Sequence, residues 1–212
     1  VLRAVFAMES LPAVLGVALL MVLAASRAAV ARPSRSFAGA TWRAFLTLVA
    51  SALLTTVMVT AVVVGVEPWY APQYLVPLLG MALGNGLTGI SLCLDHVLAE
   101  LDERRDLVEA ELALGATAWE AARRPLADAV RRGMIPIINS MTVAGIVSLP
   151  GMMTRQILAG ADPVEAVKYQ VVVMFMIAAA TSLGCILLAL LVFRRLFDAA
   201  HRLRRDLVVR RG

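Results

Sequence analysis

The sequence predicts an all-α, polytopic helical integral membrane protein, with about five transmembrane helices in this chain. Three observations predict it. Of the 212 residues 60% are hydrophobic and the mean hydropathy is +0.82, whereas a soluble domain is nearer half apolar. Only 17% of the residues are charged, and they cluster between apolar runs of about 20 residues, the length that crosses a bilayer as a helix. The period-two alternation of a membrane barrel is absent. In lipid the helix is then the structure that satisfies every backbone N–H and C=O.

Taken in order, Val1–Met8 is a short apolar stub, and Pro12–Ala31 is the first full span. Arg32–Arg43 is a basic loop containing Pro, Ser and Gly, and Phe45–Val66 is a second, uncharged span rich in Val and Thr. Glu67–Pro72 is a turn whose Trp69 and Tyr70 suit a membrane interface. Pro72–Leu94 is a third span, 95–133 a charged segment, and Met134–Met153 a fourth span opened by Pro136. Thr154–Lys168 is a short amphipathic loop, Val171–Phe193 a fifth span, and 194–212 a basic tail. All of 1–212 reads as one transmembrane domain.

Charge sets the orientation. With five spans, every Lys and Arg except Arg3, Arg155 and Lys168 falls on one side, and the positive-inside rule makes that side cytoplasmic. The tail is therefore expected inside, as an anchor at an anionic leaflet rather than a nucleic-acid site. Cys93 and Cys185 lie within apolar runs without a CxxC partner, and read as small core residues. No signal-peptide pattern follows Val1.

The segment Glu109–Pro136 carries the first functional signal. Leu114-Gly115-Ala116 makes a break, and Gly115 can take a positive φ. Thr117 and Glu120 then form a Thr-x-x-Glu capping box that starts a helix at Ala118. The chain is expected to leave the membrane, run a short amphipathic helix and re-enter near Pro136. This arrangement resembles the coupling loop of ABC-transporter permeases, Glu-Ala-Ala-x-x-x-Gly, with Glu109, Ala110 and Gly115 at matching spacing and Glu111 in place of the second Ala. The resemblance implies contact with an ATP-hydrolysing partner through Glu109, Gly115, Ala116, Thr117, Trp119 and Glu120.

A second group of residues could line a route across the membrane. The third span holds Gly80, Gly84, Gly86 and Gly89 with Asn85 among them, so it reads either as tight helix packing or as a bending, path-lining helix. Asn139, Ser140 and Thr142 lie in the fourth span, which Leu149-Pro150-Gly151-Met152-Met153 interrupts. The candidate path residues are Asn85, Asn139, Ser140, Met152 and Met153; the two thioethers are packing groups or soft metal ligands, and no metal-binding residue is fixed. Asp162-Pro163-Val164-Glu165 is a helix start with Asp162 as cap.

No Asp, Glu or Lys lies inside an expected span, so a proton-coupled carrier is disfavoured. No GxxxxGK[ST] motif occurs either, which sends ATP hydrolysis to another chain. An enzyme would need clustered catalytic groups near a membrane face, and the sequence shows none.

Gly115-Ala116-Thr117 through Pro136, then Val147-Ser148-Leu149-Pro150-Gly151-Met152-Met153, then Ala159 through Gln170 (AGADPVEAVKYQ), carry a wider resemblance. Together they resemble the bacterial iron-export ABC permease family of the FetB/YbbM type, whose plant relatives are linked to aluminium tolerance. The resemblance covers nearly the whole chain. It implies a permease, not itself an enzyme, that pairs with a separate ATP-binding-cassette subunit holding ATP and Mg. It further implies a permease homodimer in the bacterial inner membrane, with the carboxyl end cytoplasmic, exporting a metal ion such as iron. An ABC permease for an organic solute or lipid is the alternative, and a membrane-embedded enzyme the more distant one. Family chains carry seven spans, so two further helices are expected before Val1.

Overall fold

Helices account for most of the computed structural model, which describes residues 11–65, 67–198, 202–204 and 207–210. They are α1 (Leu11–Ala31), α2 (Ala40–Val63), α3 (Pro72–Glu103), α4 (Arg105–Ala113), α5 (Ala118–Val143), α6 (Gly151–Leu158) and α7 (Pro163–Leu196). Strands β1 (Arg35–Phe37) and β2 (Val208–Arg210) pair antiparallel. The stub Val1–Met8 and parts of the basic tail lie outside the described residues. Among the described residues four helices, α1, α2, α3 and α7, are long and apolar enough to cross a membrane.

Each helix has a local cause. α2 contains two wide-turn stretches, Val49–Leu53 and Val59–Val63. Ser51, Thr55 and Thr60 donate their hydroxyls to the carbonyls of Thr47, Ser51 and Thr56 within this helix, at 2.6, 2.6 and 2.9 Å. Such bonds to the preceding turn compete with the regular ladder and loosen it. α3 starts at Pro72, where the missing N–H has no partner to lose. It then runs without interruption through its four glycines, because Leu75, Leu78, Leu79, Ala82, Ile90, Cys93, Leu94, Val97 and Leu98 bury one continuous face.

α3, α5 and α7 pack together along one seam, with α1 against α3. At its midpoint the α3 and α5 backbones touch. A Cβ on Gly89 would lie 2.8 Å from the Gly133 carbonyl oxygen and 2.5 Å from Thr181 Cγ2. A Cβ on Gly133 would lie 2.8 Å from the Gly89 carbonyl oxygen and 2.6 Å from Cys185 Sγ. Cys93 and Cys185 are both fully buried here and pack beside the paired glycines.

Three expectations change. The charged segment is not all outside the bundle, since α3 continues to Glu103 and buries Val97, Leu98 and Leu101. The helix begun at Ala118 does not end before Pro136: α5 includes both Pro125 and Pro136 and stops at Val143. An interior proline costs about 3 kcal/mol or more in an isolated helix. Here Ala118, Ala121, Ala122, Leu126, Ala129, Gly133 and Ile137 bury one face against α3 and α7, which offsets that loss. The expected fourth span is thus the second half of a longer helix, and Leu149 to Pro150 belongs to the turn that follows it. Thr154–Lys168, expected as a loop, is largely helical in α6 and the first turns of α7.

The basic loop and the tail share one end of the bundle, because β1 pairs with β2. Arg35 also reaches Asp102 at 3.3 Å and Glu103 at 2.9 Å on the last turn of α3. Ser34 donates its N–H and hydroxyl to Asp95 at 2.9 and 2.8 Å. This arginine-rich end also holds α4 and the start of α5, while α6 and the turn after α5 lie at the opposite end.

Candidate functional site: a capped turn and a cavity along one seam

At the arginine-rich end the break falls where the sequence places it. Gly115 has φ +95°, the left-handed region that glycine enters without penalty. Its N–H donates to the Leu112 carbonyl at 3.1 Å and that of Ala116 to the Glu111 carbonyl at 3.0 Å, closing the end of α4 as a Schellman turn. Thr117 then caps α5. Its hydroxyl accepts from the Glu120 N–H at 3.3 Å, while its own N–H and hydroxyl donate to the Glu120 carboxylate at 2.8 and 2.7 Å. These bonds, the backbone one first, hold the Glu120 carboxyl below the usual carboxylate range.

The turn presents apolar side chains to the outside. Leu114 is 88% exposed and Trp119 47%. Trp119 is fixed by an edge-on contact with Phe193 of α7, ring centroids 5.4 Å apart, and Phe193 in turn packs on Phe197 at 5.3 Å. Glu109 is tied to Arg105 at 2.9 Å on the surface of α4. All six residues singled out here therefore sit on one helix–turn–helix at the arginine-rich end.

The path candidates divide. Asn85, Ser140 and Met152 line one cavity of about 180 Å³ between α3, α5, α6 and α7. Met153 is buried and lines a larger neighbouring cavity of about 490 Å³, with Met141, Leu149, Val167 and Phe175. Successive helical residues point about 100° apart, which is why the Met152–Met153 pair separates. Asn139 is exposed on another face of α5 and lines neither cavity. Asn85 donates its amide to the Met81 carbonyl of its own helix at 3.0 Å, and among the described residues no inter-helix bond holds it. Among the described residues, no group of three or more His, Cys, Asp or Glu side chains converges.

One residue was not singled out from sequence. Gln170 lines both cavities, together with Pro150 and Met174. It is only 8% exposed, and its carbonyl oxygen has no hydrogen-bond partner among the described residues. A signal existed: a lone amide spaced three and seven residues before Val173 and Ile177 lies on the inward face of α7.

The family profile described as "Uncharacterised protein family (UPF0014)" matches residues 1–197. Among curated relatives, UPF0014 membrane protein slr1647 of Synechocystis is 36% identical over 205 residues, covering 95% of this chain and 78% of that one. UPF0014 membrane protein YjkA of Bacillus subtilis is 33% identical, covering 88% and 74%. The probable iron export permease protein FetB of Escherichia coli is 35% identical over 134 residues, covering 63% of this chain and 52% of that one. No solved structure matches at a significant level. On the strength of a match over nearly its whole length, the chain belongs to the UPF0014 family of membrane proteins.

Proposed function

We propose that the chain is the transmembrane permease subunit of an ABC transporter, exporting a metal ion such as iron and driven by a separate ATP-binding subunit. The observation that carries this reading is the capped turn at the arginine-rich end. It holds Glu109, Gly115, Ala116, Thr117, Trp119 and Glu120 on one rigid connection and exposes Leu114 beyond it. Trp is enriched among interface anchors, and the half-exposed Trp119 with Leu114 beside it gives this turn an apolar face that a partner's groove would cover. ATP and Mg belong to that partner, two permease copies form the membrane unit, and the basic end faces the cytoplasm of a bacterial inner membrane. The relative named as a probable iron export permease supports the cargo class.

A second reading, an ABC permease for an organic solute or lipid, is favoured by the larger cavity, whose lining of Met141, Leu149, Val167 and Phe175 is mostly apolar.

The test is co-purification with a candidate ATP-binding-cassette subunit from the same organism. Leu114 is nearly free of contacts, so Leu114→Asp should leave folding intact yet abolish co-purification and coupled ATP hydrolysis. Trp119→Asp is a poorer probe, since it also breaks the Phe193 contact. Full assembly and full coupled activity in Leu114→Asp would remove the turn from the interface.

A further inference from the structure

We propose that the smaller cavity, bounded by Met81, Met152, Met174 and Gln170, is a binding site for a soft, weakly hydrated cation of the Cu(I) and Ag(I) class. It keeps the metal-exporting reading of the proposed function but replaces iron with a soft monovalent cation, and rests on that reading only in calling the cation cargo. Four residues with donor side chains, from three helices, line one space of about 180 Å³. Met81 comes from α3, Met152 from α6, and Gln170 and Met174 from α7. Gln170 supplies the second, independent observation. Its carbonyl oxygen is buried without a partner among the described residues, and a buried acceptor left unpaired costs about 1–3 kcal/mol. A cation in the cavity would satisfy it.

The donor set decides the class. Thioethers are soft ligands that favour Cu(I) over hard cations. Asn85, Ser140 and Gln170 are neutral, and among the described residues no Asp or Glu lines the cavity. A hard divalent ion such as Mg(II) sheds its water reluctantly and asks for carboxylates. A soft monovalent ion gives up less hydration and gains three sulfur contacts. Below the cavity the seam is closed by the Gly89–Gly133 contact, so the cation enters from the end that holds α6. Gln170 also lines the larger cavity, which places its amide at the boundary between the two spaces.

The experiment is Ag(I) binding to the purified full chain in detergent, without any ATP-binding subunit. Cys93→Ala and Cys185→Ala remove the thiols, which would otherwise compete. Loss of an outer-shell partner costs a metal site about 10- to 100-fold and loss of a ligand no less, so Met152→Leu with Met174→Leu should weaken Ag(I) binding by at least about tenfold. Gln170→Leu should weaken it too, excess Mg(II) should not compete, and X-ray absorption of bound silver should show sulfur neighbours. Thermal unfolding checks that each near-isosteric variant is folded. Absence of binding, equal affinity in the Met double variant, displacement by Mg(II), or only nitrogen and oxygen neighbours would each overturn the site. The proposed function fails separately: a chain that binds Ag(I) this way but never assembles with an ATP-binding subunit keeps the site and loses the transporter.

Discussion

Leu114-Gly115-Ala116-Thr117 joins α4 to α5 at the arginine-rich end, and Ala159-Gly160-Ala161-Asp162 joins α6 to α7 at the other. The two connections are built alike. Gly115 and Gly160 have φ of +95° and +89°. Ala161 N–H donates to the Gln156 carbonyl at 3.0 Å and Gly160 N–H to that of Ile157 at 3.0 Å, as Ala116 and Gly115 do on α4. Each turn is followed at once by a side-chain cap. The packing behind them differs. At the midpoint of the seam α3 and α5 touch backbone to backbone, with the Thr181 and Cys185 side chains of α7 against them; toward the end that holds α6 the three helices part around a cavity. One local device thus serves both a closed half and an open half, and the side chains along the seam, not the turns, decide which is which.

Substituting the glycines separates these two levels, and the largest effect is expected in the closed half. Gly133→Ala would drive a methyl into the Gly89 carbonyl and the Cys185 sulfur. Neither can retreat freely, so its cost should lie at or above the upper end of the about 1–3 kcal/mol typical of overpacking. Gly84→Ala, on α3 with nothing within 4 Å of the new carbon, should instead stabilise by about 0.5–1 kcal/mol, the usual helix preference of Ala over Gly. Thermal unfolding in detergent reads both. Equal shifts, or shifts of one sign, would dissolve the distinction between the halves.

The turns should give a smaller and matched effect. Gly115→Ala and Gly160→Ala meet no atom within 4 Å, so each should cost only the left-handed backbone penalty of about 1–2 kcal/mol. Similar losses in the same unfolding assay support one device used twice. A much larger loss at one site would mean that its turn is held by more than its own backbone.

How much of this was legible follows the same division. The glycine turn, the Thr117–Glu120 box and the Asp162 cap are local, set within four residues, and the sequence shows them directly. The seam is not local. Gly80 and Gly84 have the spacing of a close-packing pair, yet Gly80 meets only Met21 Cε at 3.4 Å and Gly84 meets nothing. The close approach uses Gly89 and Gly133, 44 positions apart. Helix phase explains the divided path candidates: Asn139 and Ser140 are neighbours in sequence, but only Ser140 lines the cavity. Pro136 was a poor boundary signal because the packing that carries α5 through it comes from α3 and α7.

The caps should differ modestly. Asp162 accepts two backbone N–H groups, from Val164 at 2.8 Å and Glu165 at 3.1 Å, whereas the Thr117 hydroxyl accepts one at 3.3 Å. Within the about 0.5–2 kcal/mol range for losing an N-cap, Asp162→Ala should fall near the top and Thr117→Ala near the bottom. Unfolding midpoints of the two variants check the order, and a reversed order would show that the Thr117–Glu120 reciprocity outweighs the count of backbone bonds.

The smallest expected effect is a pH dependence at the α4–α5 turn, and it comes from Glu120. The Thr117 N–H and hydroxyl bond the charged form of its carboxylate, which lowers its folded pKa below the unfolded one. A group with a depressed folded pKa adds stability that is present above the unfolded value and lost as pH falls through the folded one. The first turn of α5 should therefore loosen only in the acidic range below ordinary glutamate titration. Glu120 is on the surface, where solvent screens its charge, so the change should be local rather than global. Hydrogen exchange at 117–121, corrected for the intrinsic pH dependence of exchange, should show protection falling on acidification in the native chain. Glu120→Gln keeps the shape but cannot ionise, so its protection should stay flat across the same range. Parallel pH profiles in the two proteins would show that the cap is held by shape and backbone alone, and would make the two turns more alike than their side chains suggest.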